Sequence, residues 1–112
     1  MTVPRDLVAA SATPLVLSIL ASNDSYGYDI IKKVRDLSGH VLEWTDGMLY
    51  PVLHRLEQHG YVESYWATAE TGRRRKYYRI LEPGLGELER LRHQWELVDA
   101  TLRRAWQMKK AG

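Results

Sequence analysis

The sequence predicts a mainly α fold with a small β-hairpin, an α+β arrangement of three helices, the hairpin and one long terminal helix. Three observations carry that expectation. Apolar residues recur at spacings of three and four through most of the chain, the period of a helix that buries one side. Between residues 61 and 81 the pattern changes to two short runs of tyrosine, valine and isoleucine around a polar loop containing Gly72. The 112 residues are 45% apolar and 27% charged, the balance of one globular domain.

The first helix is expected over Asp6 to Ala21, apolar on nearly every side through Leu7, Val8, Leu15, Val16, Leu17, Ile19 and Leu20. A helix apolar all round is buried on more than one side, which in so short a chain implicates a second subunit as well as the domain itself. Pro14 predicts a bend or a boundary near Thr13. The stretch is read as too short and too interrupted to span a bilayer, and it lacks a signal-peptide cleavage pattern. Asn23, Asp24 and Ser25 form a polar break.

Tyr26 to Ser38 follows as a second helix, its stripe of Tyr26, Ile30, Val34 and Leu37 closed by Gly39. His40 to Trp44 is a connector or a brief strand. Thr45 is placed as the N-cap of a third helix, Asp46 to His59, which buries Leu49, Val52, Leu53 and Leu56 and stops at Gly60. The hairpin pairs Tyr61–Trp66 with Lys76–Leu81. Pro83 and Gly84 break the second strand, and a long helix runs from Leu85 to Lys109. Its residues Leu88, Leu91, Trp95, Val98 and Leu102 form a heptad seam that another helix must cover.

Three helices and a hairpin, with a short capped third helix, is the order of a winged helix-turn-helix. In that arrangement the third helix enters the major groove and the hairpin loop reaches the flanking backbone, so cations belong at both places. Arg73, Arg74, Arg75 and Lys76 make an unbroken run at the hairpin, and strand alternation sends Arg73 and Arg75 one way, Arg74 and Lys76 the other. A charge run by itself is more often a solvated turn; its pairing with a capped helix points to DNA. On the third helix Thr45, Asp46, Gly47, Tyr50, Pro51, His54 and Arg55 are the DNA-facing candidates, together with Tyr26 on the second. Tyr50 and His54 share a face, and Gly47 permits close approach to a phosphate. Arg55 either reads a guanine or phosphate or is held inside the protein by Glu57 or Glu63.

The segment MLYPVLHRLEQHGYVESYW, the wing TGRRRKYYRILEPG and the earlier SYGYDIIKKV, with Gly27 and Tyr28, together resemble the PadR family of bacterial transcriptional regulators. The likeness runs from about Leu15 through Trp106, and the single C-terminal helix with WELVD is similar to a compact branch that includes a lactococcal multidrug-binding repressor. The resemblance implies a homodimeric repressor, final helices packed on the first helices of the partner, reading a palindromic operator in double-stranded DNA. It further implies that a planar aromatic or hydrophobic effector, of the kind some members bind, stacks between Trp95 and its symmetry mate, with Ala10, Pro14 and Leu17 lining the cavity. The alternative for Trp95 is an interface position on the seam. The family pattern has Ser or Thr where this chain has Met48. On this reading residues 1–82 form the winged domain, the first helix also serving the dimer, and residues 83–112 the dimerisation helix.

Other classes fare worse. The four histidines show no metal-ligand spacing, Gly84 and Gly86 lack the rest of a dinucleotide motif, and no serine sits in a nucleophile elbow. No catalytic residue, metal or cofactor is expected. With no cysteines the chain suits the reducing cytoplasm. The competitors are a winged helix whose basic loop binds an acidic protein, and a DNA-binding regulator that takes no small molecule. A formal charge of only +2 means that placement, not net charge, must decide.

Overall fold

A computed structural model of the protein describes residues 1–110 and shows four helices around a three-stranded antiparallel sheet. Helix α1 spans Arg5–Ser22, strand β1 Ser25–Tyr26, α2 Gly27–Leu37, α3 Asp46–Gln58, β2 Val62–Thr68, β3 Arg74–Ile80 and α4 Glu82–Trp106.

Helix α1 is unbroken, so of the bend or boundary expected near Thr13 the boundary does not occur. Pro14 has no N–H for the Ala10 carbonyl, but Ala10 is exposed, where water can take that bond. Unbroken, its 18 residues are long and apolar enough to cross a membrane by length and composition alone. Five of its residues, Ala12, Val16, Leu17, Ile19 and Leu20, are buried against the rest of the domain.

Those five side chains meet Ile30 and Val34 of α2, Leu49, Val52, Leu53 and Leu56 of α3, Val62 and Tyr78 of the sheet, Leu88 of α4 and Trp44 of the connector. The connector forms no strand. Strand β1 is an addition to the expected hairpin: Ser25 pairs with Tyr78 and Tyr26 with Tyr77, making β3 the central strand. The polar residue Ser25 is therefore buried, and its hydroxyl donates to the Asp29 carboxylate at 2.6 Å. Burial works to raise the Asp29 pKa, but that bond and Lys33 at 3.0 Å outweigh it and leave the carboxyl below its usual value.

Two further boundaries move. Pro83 and Gly84 lie in the first turn of α4 rather than ahead of it, because a first-turn proline loses no intrahelical hydrogen bond. A Cβ on Gly84 would stand 2.2 Å from the Tyr61 carbonyl oxygen, so only glycine lets α4 start against the segment that leads into β2. The helix ends at Trp106, short of Lys109. The hairpin strands run two residues further toward the tip than expected, and the turn shrinks to residues 69–73, where Gly72 takes φ +84°.

Helix α4 packs on α1 through its first half only. Leu88 is buried and Leu91 half-buried, whereas from Arg92 to Asp99 and again from Thr101 to Trp106 every residue is exposed. The molecule is accordingly 67 Å long and only 31 by 21 Å across.

Candidate nucleic-acid interface

Helix α3 and the wing open onto one surface. Leu49, Val52, Leu53 and Leu56 face the core, which turns Asp46, Gly47, Tyr50, Pro51, His54 and Arg55 outward; all six are exposed. Thr45 occupies the N-cap, but its hydroxyl makes no capping bond and stays free on the exterior. Strand β3 alternates as the sequence requires. Lys76 lies across from Trp66 and Arg74 from Thr68, on the sheet face that looks toward α3, while Arg75, Tyr77 and Arg79 occupy the opposite face.

Two cavities lie side by side on that surface. One, of about 610 Å³, is walled by Tyr26, Gly27 and Tyr28, by Asp46 and Tyr50 of α3, and by Trp66 and the cations of residues 73–76. The second, about 550 Å³, brings Tyr50, Pro51, His54 and Arg55 against Lys76 and Tyr78. Tyr50 and Lys76 belong to both, so the exposed face of α3 and the hairpin form a continuous surface. Thr45 and Gly47 line neither. Tyr28 and Trp66, exposed to 67% and 58%, were not among the DNA-facing candidates. Their signal was a large aromatic at an element's end, beside a cation run in the case of Trp66.

The four cations differ in freedom. Arg73 is in the turn, where its carbonyl accepts the Ala69 N–H at 2.8 Å. The Arg74 guanidinium lies 5.3 Å from the centre of the Trp66 ring. Arg75 is half-buried, its guanidinium 4.4 Å above Tyr26, which in turn meets Tyr77 edge-on. The Lys76 ammonium is 5.8 Å from the Tyr78 ring. Aromatic faces attract cations and limit their rotamers, so these charges are held in place before any partner arrives. The ladder continues through Tyr65, which stacks on Tyr77; the Tyr65 hydroxyl donates to Asp24 at 2.5 Å, and that bond raises its pKa.

Arg55 has no acidic partner among the described residues. Glu57 accepts from the Ser64 hydroxyl at 2.6 Å and Glu63 from Arg79 at 2.6 Å, so both acids that competed for Arg55 are engaged elsewhere. Tyr50 is fixed differently. A Cβ on Gly27 would fall 2.5 Å from its hydroxyl oxygen, so Gly27 is what allows the ring to lie on the start of α2.

The remaining candidates divide. Trp95, Val98 and Leu102 are exposed on the free half of α4, Ala10 is exposed on α1 and Pro14 is half-buried. Leu17 and Leu88 are enclosed by the subunit's own core, Leu17 at 0% exposure and Leu88 at 9%, where α1 and α4 cover each other. No cavity described includes Trp95. No group of three or more His, Asp or Glu side chains that would hold a metal occurs among the described residues.

Residues 16–90 match the model of the transcriptional regulator PadR-like family. A solved structure of a transcriptional regulator from Clostridium thermocellum superposes with a TM-score of 0.82 at 32% identity, over 92% of this chain and 97% of that one. A PadR-like transcriptional regulator from Bacillus cereus gives 0.83 at 25% identity, covering 93% and 99%. The transcriptional regulator YqjI of Escherichia coli is 30% identical over 106 residues, 87% of this chain; the match spans about half of that longer relative, 49%.

Proposed function

We propose, from the premise that this chain belongs to the PadR-like family of transcriptional regulators, that it is a homodimeric repressor reading a palindromic operator through α3 and the wing. The observation that carries this is the shared surface: Tyr50, Pro51, His54 and Arg55 meet Lys76 across one groove, with Arg73, Arg74 and Arg75 continuing it toward the tip. An exposed helix face flanked by preorganised cations fits a major groove and its phosphates. Tyr26 supports Arg75, and Thr45, Asp46 and Gly47 lie at the end of α3 that enters first.

Residues 1–82 act as the winged domain and α4 within 83–112 as the dimerisation helix, with residues 111–112 outside the described part. Trp95, Val98 and Leu102 are the interface residues, and Leu91 extends the stripe to the edge of the core. A second copy places two α3 helices about 34–36 Å apart, one turn of duplex. The dimer also encloses Trp95 opposite its mate beside Ala10 and Pro14, where a flat apolar effector stacks, as in the compact multidrug-binding branch. The site of action is the cytoplasm. The family's members are transcriptional regulators, and no catalytic role is assigned to any residue.

Hydroxyl-radical footprinting on the DNA upstream of the protein's own gene tests this reading. Two symmetric protected segments, centred about 10 bp apart, are expected. Uniform cleavage at protein concentrations that saturate binding would reject operator recognition. For the effector, Trp95→Ala removes the quenching of tryptophan fluorescence by planar aromatics; unchanged affinity excludes Trp95 from the site.

A further inference from the structure

Asp46 and Glu57 are the acids on the joined surface of α3 and the wing, and they meet different partners. Glu57 accepts the Ser64 hydroxyl at 2.6 Å and is engaged within the protein. Asp46 is exposed and walls the same cavity as Arg73, Arg74, Arg75 and Lys76. It forms no salt bridge among the described residues. On a surface that meets phosphates, a carboxylate with no donor of its own repels them and opposes the four cations. Asp46 is also the first residue of α3, and the N-terminal residues of a recognition helix are those that reach base edges. Gly47 beside it is not required by packing: a Cβ there would meet nothing closer than the Thr45 hydroxyl oxygen at 3.8 Å. Its missing side chain lets this turn lie close to the bases, within reach of so short an acid.

We propose that Asp46 is a specificity-determining residue, accepting a hydrogen bond from the N4 amino group of a cytosine once in each half-site. The major-groove edges of the bases decide this. Guanine offers only the acceptors N7 and O6, and thymine an acceptor and a methyl group. Adenine carries a donor at N6, but its N7 acceptor lies beside it and repels a carboxylate. Cytosine alone presents a donor with no acceptor on the same base. The wing cations beside Asp46 offset its repulsion from the phosphates when that donor is present. At a wrong base the donor is lost and the repulsion stays, so the residue selects partly by penalty. This inference rests on the DNA-reading proposed above and adds which base one side chain selects. An acid at this position also suits the positive end of the helix, a role that would leave base preference untouched.

Selection of bound duplexes from a random-sequence library by the full chain, followed by sequencing, tests this. The parent protein is expected to enrich a palindrome with cytosine at one position of each half-site. Replacing that C·G pair in one half-site should cost about tenfold in affinity. Asp46→Ala is expected to bind all four base pairs at that position within about twofold of one another, with preferences elsewhere unchanged. Asp46→Asn, which presents a donor beside an acceptor, is expected to select adenine there. Tight binding of that variant to the adenine operator shows that it folds, so its loss on the cytosine operator is a change of readout and not of stability. An unchanged cytosine preference in both variants would overturn the role of Asp46 and leave operator recognition standing. So would an equal change on every duplex: uniform weakening would mark a support of the helix end only, and uniform strengthening a carboxylate that merely repels phosphate. A parent protein that enriches no sequence would refute the DNA-reading itself, and this inference with it.

Discussion

Gly27 and Tyr50 are 23 positions apart in sequence, yet the absence of one side chain places the other. The Tyr50 hydroxyl needs the space where a Gly27 Cβ would stand, 2.5 Å away. Gly27→Ala is therefore expected to rotate the ring, since Tyr50 is 45% exposed and has room to move. Losing one hydrogen bond to DNA costs about 1 kcal/mol, or roughly fivefold in affinity. Fluorescence anisotropy and a thermal melt check this together, and a large drop in melting temperature without loss of affinity would contradict it. The sequence marked Gly27 only as part of a motif; the contact was invisible because it joins two elements. Arg55 shows the reverse case. Its chemistry was legible, but Glu57 and Glu63 stood as equal claimants until their bonds to Ser64 and Arg79 left it free.

Among the elements, α4 shows what local rules decide and where they stop. Pro83 and Gly84 read as breakers, but at the first turn a proline is tolerated and this glycine is required by contact. Gly84→Ala is expected to destabilise the domain by about 2 kcal/mol or more, since its Cβ would meet the Tyr61 carbonyl and Ile80. Gly86→Ala, two residues on with nothing within 4 Å, should stabilise by up to about 1 kcal/mol through helix propensity. Chemical denaturation of the pair checks both signs, and equal effects would refute the contact argument. The two-residue strand β1 escaped the sequence because so short a run carries no period; only its pairing with Tyr77 and Tyr78 makes it a strand. The wing was legible from its turn chemistry, although three of its four cations prove to sit on β3 and not at the tip. Arg74, exposed beside Trp66, should act on phosphate. Arg74→Ala should weaken binding to every duplex alike and reduce the slope of log affinity against log salt by about one. A loss confined to one base position would assign it to base reading instead.

At the scale of the molecule, shape is the informative quantity. A compact chain of this length has a radius of gyration of about 13 Å. This one has 16.6 Å, because the second half of α4 leaves the core with Trp95, Val98, Leu102 and Trp106 exposed. The heptad spacing announced that stripe in the sequence. It could not tell that Leu88 and Leu91 would be used within the subunit, since a seam looks the same whichever helix covers it. A second copy offers the same unpaired stripe, and a two-fold contact lets each cover the other. In the proposed dimer, Leu102→Glu buries an unpaired charge and leaves the isolated domain intact, so sedimentation should show a monomer with an unchanged far-ultraviolet spectrum. An unchanged dimer would move the interface elsewhere.

Recognition of a particular DNA sequence by the joined surface of α3 and the wing is checked by competition. A labelled duplex from upstream of the protein's gene is bound, followed by anisotropy, and challenged with excess unlabelled DNA of scrambled sequence and equal length. The scrambled duplex is expected to fail to displace it, while the unlabelled upstream duplex does. Equal displacement by both would contradict sequence recognition and leave only a basic surface.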